Sequence, residues 1–222
     1  MAQVNGNAPK ITLYTNHRCP WAHRAHVALK ELGLPYEERG LVPAIDFNGE
    51  IIIESGIVAT FLADAYPSHL LPTAGTPEAA LTRAKINFFV DTWFSKANSY
   101  LFKILLAASE EDQAKMSKEV VDIVGKEIEP LLKDAKPFFG GSEKATLAEA
   151  LTAPFILRYY TFSKREALPK SIVSGFDALP NFSKWAAEVI KLDSVTYIWN
   201  EEDVVSTTMR KVASMKAQAA AK

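Results

Sequence analysis

The sequence predicts two kinds of structure in succession: an α/β domain, followed by a domain built only from helices. Before residue 70, short β-branched runs alternate with helical periodicity, whereas from Glu78 onward no stretch alternates in hydrophobicity as a strand does. The chain has 222 residues, of which 48% are hydrophobic, and this is enough to bury a sizeable core. We expect an N-terminal tail at 1–10, an α/β domain at 11–66, a linker at 67–77 and an all-helical domain at 78–222.

The composition excludes several classes of function. With 25 basic and 26 acidic side chains, the chain has no excess positive charge to hold nucleic acid or an anionic membrane. No stretch approaches the roughly 20 consecutive apolar residues that a membrane span requires. A single cysteine cannot form an internal disulfide, and the first residues, "MAQVNGNAPK", lack the apolar core of a signal peptide. We therefore expect a cytoplasmic protein that acts on small molecules.

The elements of the α/β domain follow in order. "ITLY" at 11–14 predicts a strand, and "PWAHRAHVALKELG" predicts a helix from its apolar spacing. "LVPAIDF" and "EIIIE" predict a hairpin, because Asn48-Gly49 suits a two-residue type I′ turn in which both positions need positive φ. "ESGIVATFLADAY" then predicts a helix with Ser55 as its N-cap and Pro67 at its end.

The second domain is predicted from long amphipathic runs. These runs cover 78–108, 110–135, 146–163 and 181–192. The third run opens with "TLAE", which predicts a capping box between Thr146 and the carboxylate three residues later. The last residues, "KVASMKAQAAAK", are interpreted as a frayed helix or a disordered tail.

The chemistry is expected where the first strand turns into the first helix. Cys19 is the only cysteine, and it precedes Pro20, which is favoured at the first helical position. At or beside the N-cap, the free amides and the helix dipole favour a thiolate, and Arg18 and Arg24 add positive charge. Such a thiolate attacks a disulfide or thioether sulfur and becomes a mixed disulfide. Because no second cysteine can resolve that bond, an outside thiol must do so, and this indicates glutathione.

Other interpretations of this segment were weighed against the nucleophile. Cysteine is often a small buried hydrophobic residue, but the turn and the flanking charges argue against that here. Cys19, His23 and His26 could share a helical face as metal ligands, yet no further cluster supplies the missing ligands, so no metal is expected. The remaining interpretation places His26 and His69 on the surface or at a cap.

A second group of residues fits a peptide ligand. Val42-Pro43 interrupts a strand that otherwise reads as interior, and a cis peptide bond would explain the proline there. Such a bond would expose the Val42 amide and carbonyl to a ligand backbone. Glu54 and Ser55 open the next helix, where free amides and a hydroxyl can hold an α-carboxylate and the Glu54 carboxylate can hold an α-ammonium. Together these groups fit an extended peptide with a γ-glutamyl end.

These residues carry a resemblance to a known family. The segments "RCPWAHR", "GLVPAI", "NGEIIIESGIVATFLADAYP", "TLAEALTAPF" and "LPNFSKWAAEV" are similar to cytosolic glutathione transferases of the cysteine type, in particular the omega class and its fungal relatives. The resemblance implies a thioredoxin-like N-terminal domain, an all-α C-terminal domain and a homodimer. It also implies that Cys19 forms the mixed disulfide with glutathione, that Val42 and Pro43 pair with the cysteinyl backbone, and that Glu54 and Ser55 bind the γ-glutamyl group.

One stretch departs from the family pattern. The family has a second parallel strand and a second helix between the first helix and the cis-proline strand, but only seven residues separate Pro35 from Pro43 here. These residues can form one short strand but not a full crossover. Either the second helix is absent or a segment is missing from the sequence. The basic group for the glycine carboxylate of glutathione is lost with it, leaving Arg39 as a substitute, so we expect weak glutathione binding or a site open at that end.

The acceptor site is the least specified part. Trp21, Trp93, Tyr100 and Trp199 are candidates for an aromatic pocket, although aromatic residues at helical spacing are more often core. The predicted function is glutathione-dependent thiol transfer, with deglutathionylation of small-molecule or protein mixed disulfides and thioethers. Two alternatives remain open: a conjugation, lyase or isomerase step on an electrophilic metabolite in detoxification or fungal secondary metabolism, and a non-catalytic binding protein.

Overall fold

The computed structural model describes residues 10–40 and 44–220. Its N-terminal part contains a four-stranded mixed sheet with the order β2-β1-β3-β4. The strands are β1 (Ile11–Thr15), β2 (Glu37–Gly40), β3 (Ala44–Phe47) and β4 (Glu50–Ile53). β2 runs parallel to β1, β3 runs antiparallel to β1, and β4 runs antiparallel to β3. The predicted strand-helix-hairpin order is confirmed.

The hairpin turn has the conformation that the sequence predicts. Asn48 has a φ of 54° and Gly49 a φ of 96°, and both values lie in the left-handed region that these two residue types tolerate best. The Asp46 side chain accepts a hydrogen bond from the Gly49 amide at 2.7 Å. The turn therefore fixes the pairing of Phe47 with Glu50 and, with it, the register of the hairpin.

The described residues between position 32 and the hairpin hold one strand and no helix. β2 ends at Gly40 and β3 begins at Ala44, so three residues separate the two strands in the sequence. β2 and β3 lie on the two sides of β1. The prediction of one short strand is confirmed. The predicted cis bond at Val42-Pro43 lies outside the described residues.

Two helices complete the N-terminal part: α1 (Pro20–Glu31) and α2 (Ser55–Ala65). Both pack against the sheet and against the long helix α6 (Leu147–Lys164) of the second part. α1 buries its Val27 and Leu29 side chains completely, next to Leu13 of the central strand. The predicted N-cap of α2 is wrong by one residue, because Glu54 holds the cap position and Ser55 is the first helical residue.

The second part is helical, as predicted. Besides α6, its helices are α3 (Pro77–Thr92), α4 (Tyr100–Leu106), α5 (Glu110–Ile123), α7 (Lys170–Asp177), α8 (Pro180–Val189), α9 (Asp193–Thr196) and α10 (Glu201–Ala220). π-helical turns continue α3 and α5, at Trp93–Ala97 and Val124–Ile128. None of the described helices is both long enough and apolar enough to cross a bilayer.

The C-terminal run corrects the sequence interpretation of a frayed or disordered tail. Its described residues, 211–220, belong to α10, a helix of 20 residues. Val204, Val205 and Val212 bury one face of α10 in the core. Further along, the Lys216 ammonium donates a hydrogen bond to the Ala107 carbonyl at 2.9 Å. The polar, alanine-rich composition concealed this helix because its apolar stripe is narrow.

The predicted capping box at the start of α6 is confirmed, and it extends into a larger network. The Glu149 carboxylate is completely buried and accepts hydrogen bonds from the Thr146 amide and hydroxyl, both at 2.7 Å. It also accepts one from the Phe139 amide at 2.9 Å and one from the Trp185 indole at 2.7 Å. One carboxylate thus joins α6, the loop before it and α8.

We predict that Glu149→Gln lowers the free energy of unfolding by about 3 kcal/mol, because an amide cannot accept from all four donors and at least one stays buried without an acceptor. The matched control is Glu111→Gln, on the exposed first turn of α5, which should change it by less than about 0.5 kcal/mol. Urea unfolding followed by circular dichroism measures both. Equal effects of the two substitutions would show that the network does not stabilise the fold.

Candidate functional site

Cys19 lies at the N-cap of α1, where the sequence placed it. Its backbone is extended, with φ −83° and ψ 119°, and Pro20 occupies the first helical position. The Cys19 amide donates to the Asn16 carbonyl at 2.9 Å, which closes the turn between β1 and α1. The thiol is free and partly exposed. The sulfur therefore stands at the positive end of a helix and is accessible from solvent.

A buried arginine from α6 reaches this turn. Arg158 is 3% exposed, and its guanidinium donates to the Pro154 carbonyl at 2.6 Å and to the Arg18 carbonyl at 3.0 Å. It also lies 4.9 Å from the centre of the Trp199 ring. Burial lowers the pKa of Arg158 to about 9, while Coulomb attraction to Cys19 acts in the opposite direction. Arg158 thus stays protonated at neutral pH and attracts a negative charge on the sulfur.

The two arginines that the sequence put beside the thiol have other partners. Arg18 donates to the Asp203 carboxylate of α10 at 2.7 Å, so its charge is largely balanced by this exposed ion pair. Arg24 points into the junction between the two parts of the chain. Arg18 and Arg24 therefore do not supply the positive charge at the sulfur that the sequence predicted. Arg158 supplies it, and this residue lies 139 positions further along the sequence than Cys19.

Arg24 is buried where α1, α2 and α6 meet. Its Nε donates to the Leu151 carbonyl at 2.9 Å, and its Nη1 donates to the Ser55 hydroxyl at 3.3 Å. The guanidinium lies 4.0 Å from the centre of the Phe94 ring and 4.5 Å from the centre of the Trp21 ring. Burial lowers the pKa of Arg24 to about 9. No carboxylate pairs with it among the described residues, so the rings and the two oxygens alone stabilise the charge.

A cleft of about 310 Å³ opens beside Cys19, between the two parts of the chain. Its cations are Arg18, Arg158 and Lys211, and none of its lining residues is acidic. Its other lining residues are Asn16, Cys19, Pro20, Trp21, Leu101, Phe102, Phe162, Thr207 and Thr208. The cleft thus combines aromatic surface, positive charge and the only thiol.

The structure separates the four aromatic candidates for the acceptor pocket. Trp21 is 41% exposed and lines the cleft. Trp199 covers the Arg158 guanidinium and so acts one step away from the cleft. The assignment of Trp93 to the pocket is wrong, because this side chain is completely buried in the helical core. Tyr100 does not line the cleft either. Its hydroxyl donates to Glu119 at 3.2 Å, and the next two residues of α4, Leu101 and Phe102, line the cleft instead.

The residues predicted to bind glutathione lie elsewhere on the N-terminal part. Val42 and Pro43 are outside the described residues. Glu54 is exposed and has a φ of 67°, a left-handed conformation that is uncommon for a residue with a side chain. Ser55 is buried, with its hydroxyl held by Arg24. Arg39 is exposed on β2, and neither it nor the Glu54-Ser55 pair lines the cleft beside Cys19.

The histidines differ from the sequence interpretation. His26 is completely buried, so placing it on the surface or at a cap was wrong. Its Nε2 and the Thr15 hydroxyl are hydrogen-bonded at 2.7 Å. His69 pairs with Glu31 at 2.8 Å near the surface. His23 is buried with its Nε2 at 2.8 Å from the Val195 carbonyl, and burial keeps its pKa well below the usual range.

Comparison with solved structures defines the fold. The chain superposes on rice GST1 (OsGSTU1), solved in complex with glutathione, with a TM-score of 0.78 and 22% identity over 96% of this chain and 99% of that one. It superposes on glutathione transferase Omega 2C from Trametes versicolor with a TM-score of 0.77 and 23% identity, over 92% and 99% of the two chains. The architecture is therefore that of a glutathione transferase, with a thioredoxin-like domain and an all-α domain.

Comparison of sequences finds relatives that are named as glutathione transferases. Glutathione transferase omega-1 of Caenorhabditis elegans is 25% identical over 206 residues, which are 82% of this chain and 78% of the relative. A probable glutathione S-transferase of Nicotiana tabacum is 27% identical over 194 residues, 79% and 82% of the two chains. No model of a protein family matches the chain. The predicted resemblance to omega-like glutathione transferases is confirmed.

We predict that Arg158→Met slows alkylation of Cys19 by iodoacetamide at pH 7, because the substitution removes the buried positive charge that attracts negative charge on the sulfur. Labelling is followed by mass spectrometry of the intact protein. The control is Arg165→Met, an exposed arginine at the end of the same helix, which should leave the rate unchanged. An unchanged rate in the folded Arg158→Met protein would contradict the role given to Arg158.

Proposed function

We propose that the protein is a glutathione-dependent thiol transferase in which Cys19 is the catalytic nucleophile. The Cys19 thiolate attacks the glutathione sulfur of a mixed disulfide, the sulfur-sulfur bond of the substrate breaks, and the product thiolate leaves and takes up a proton. The enzyme then carries glutathione on Cys19. A second glutathione thiolate attacks this new disulfide, releases oxidised glutathione and regenerates Cys19. With a thioether substrate, the carbon leaves with the bonding electrons and is protonated in the same way.

The position of the thiol carries this proposal. Cys19 combines a helix N-terminus, an accessible sulfur and a buried cation without a carboxylate partner among the described residues. These are the conditions under which a cysteine is a nucleophile and not an inert core residue. The chain contains no other cysteine, so an external thiol has to complete the cycle.

Glutathione is proposed to lie along the N-terminal part, with its cysteinyl sulfur at Cys19. Glu54 and Ser55 would bind its γ-glutamyl group, and Val42 and Pro43 its backbone. The free amides at the start of α2 and the Ser55 hydroxyl are suited to a carboxylate. Rice GST1, which shares the fold, is solved in complex with glutathione. A reduced thiol of this kind is suited to the cytoplasm, where glutathione keeps cysteines reduced.

The glycine end of glutathione has fewer groups to hold it. Only three residues separate β2 from β3 in the sequence, and Arg39 on β2 is the basic residue that could bind the glycine carboxylate. Arg39 is solvent-exposed, so its attraction for a carboxylate is weakened by water and salt. We infer that the glycine carboxylate is held loosely and that the γ-glutamyl end supplies most of the binding.

The acceptor is proposed to occupy the cleft beside Cys19. Trp21 and Phe102 offer an exposed aromatic surface, and Lys211 adds an exposed positive charge. An aromatic or hydrophobic substrate fits this lining because its ring can stack while any anionic group faces the cations.

A homodimer is proposed from exposed apolar residues outside that cleft. Five large side chains of the N-terminal part and of α3 are 58 to 61% exposed: Ile51, Ile53, Ile57, Leu81 and Phe88. Exposed aliphatic and aromatic side chains in such number are typical of a surface that a partner covers.

We predict that Cys19→Ala abolishes deglutathionylation of a mixed-disulfide substrate above the uncatalysed rate, because no other side chain can carry the glutathionyl group. Release of glutathione is followed with a coupled reductase, and intact mass spectrometry tests for a glutathione adduct on the wild-type protein. Full activity in Cys19→Ala would end the proposal. Cys19→Ser tests the alternative function, which is glutathione conjugation. A gain in conjugation activity in that variant would favour glutathione itself as the nucleophile.

We predict that Phe88→Glu converts a dimer into a monomer, because it places a charge on the surface that the partner covers. Sedimentation velocity at several protein concentrations measures the change. Glu111→Gln, an exposed substitution on the first turn of α5 and outside the apolar group, is the control and should leave the association state unchanged. A wild-type protein that sediments as a monomer at all concentrations would contradict the proposed dimer.

A further inference from the structure

A polar cluster next to the Cys19 turn takes no part in the proposed reaction. It contains His17 from the turn between β1 and α1, His26 from α1 and Glu38 from β2. One ligand atom from each of the three lies within 4.8 Å of the other two. His17 Nε2 is 2.7 Å from one Glu38 oxygen, and His26 Nδ1 is 3.8 Å from the other. Three different segments of the chain thus direct two imidazoles and one carboxylate to one point.

The buried imidazole is held in a fixed orientation. His26 is completely buried, and its Nε2 is hydrogen-bonded to the buried Thr15 hydroxyl at 2.7 Å. With Nε2 directed to Thr15, Nδ1 is the nitrogen that faces Glu38. Histidine ligands of metal sites are oriented in this way, by a hydrogen bond from the ring nitrogen that does not bind the metal.

Two phenol groups surround the same nitrogen. The Tyr36 and Tyr197 hydroxyls lie 2.9 and 3.1 Å from His26 Nδ1, and 2.8 Å from each other. They occupy the polar space beside Nδ1, so an ion enters it only when the two phenol side chains move aside. The Tyr36 hydroxyl also contacts Glu38 at 3.4 Å, and the Tyr197 hydroxyl contacts the His26 carbonyl at 3.2 Å. His17 and Glu38 are half-exposed, so this space opens to solvent on their side.

We propose that His17, His26 and Glu38 form a binding site for a divalent first-row transition-metal ion such as Zn²⁺. Two imidazoles and one carboxylate are a donor set suited to such an ion, with at least one position left for water. The ion takes the place of the hydrogen bond between His17 Nε2 and the Glu38 carboxylate. The proposal rests on geometry alone and is independent of the proposed thiol transfer.

A metal ion bound at this site would connect the Cys19 turn to the edge of the sheet. His17 lies two positions before Cys19, and Glu38 lies on β2, which the chain leaves through a link of three residues. A metal bound by both residues would restrict the turn that positions the thiol.

The test is calorimetric titration of Zn²⁺ into metal-free protein, together with thermal unfolding with and without the ion. We expect one equivalent to bind to the wild-type protein and to raise its unfolding temperature. His17→Ala and Glu38→Gln change half-exposed side chains, so both should fold. Each should weaken Zn²⁺ binding at least about tenfold and remove the thermal shift.

Two control variants separate this site from other zinc-binding groups. Cys19→Ser should retain wild-type affinity, which excludes the nearby thiol as the main ligand. His69→Ala should also retain it, because that histidine pairs with Glu31 away from the cluster. The proposal is overturned by wild-type binding in His17→Ala and Glu38→Gln, by loss of binding in Cys19→Ser, or by the absence of a one-equivalent transition in the wild-type protein.

Discussion

The arrangement of the site depends on two positively charged side chains buried between the sheet domain and α6 with no carboxylate partner among the described residues. Arg24 extends from α1 to the Leu151 carbonyl, and Arg158 extends from α6 to the Arg18 carbonyl. The two contacts run in opposite directions across the same interface. Each guanidinium satisfies backbone oxygens and lies on aromatic rings. Because a buried charge without such partners is strongly unfavourable, these contacts fix how the two parts of the chain meet. The position of Cys19 relative to the cleft follows from that fit.

The features that the sequence predicted well are local. The N-cap position of Cys19, the turn at Asn48-Gly49 and the capping box at Thr146 depend on residues within a few positions of one another, and propensity describes them directly. The features it missed join distant segments. Arg158 is 140 positions from Arg18, Asp203 is 185 positions from it, and the Tyr197 hydroxyl is 171 positions from His26. Nothing in the spacing of α6 separates Arg158 from a solvent-exposed arginine, and α7 was missed because it is only 8 residues long.

The aromatic residues show the same limit. Trp21 and Trp93 both occur at helical spacing, yet one lines the cleft and the other fills the core. Which face of a helix meets solvent depends on the crossing of α1 and α6, and a single sequence does not specify that crossing. The histidine at position 26 was misplaced for a related reason: its face of α1 packs against Tyr197, which follows the short helix α9.

The amino-acid composition of β2 also affects how the protein behaves at high concentration. β2 is an edge strand, and all four of its residues are exposed. A bare edge offers unpaired backbone groups to any other strand and invites sheet-to-sheet aggregation. Its sequence, "EERG", places three charged side chains along this edge, and charges of this kind discourage a second strand from docking there. The charged residues of β2 thus protect the solubility of the sheet.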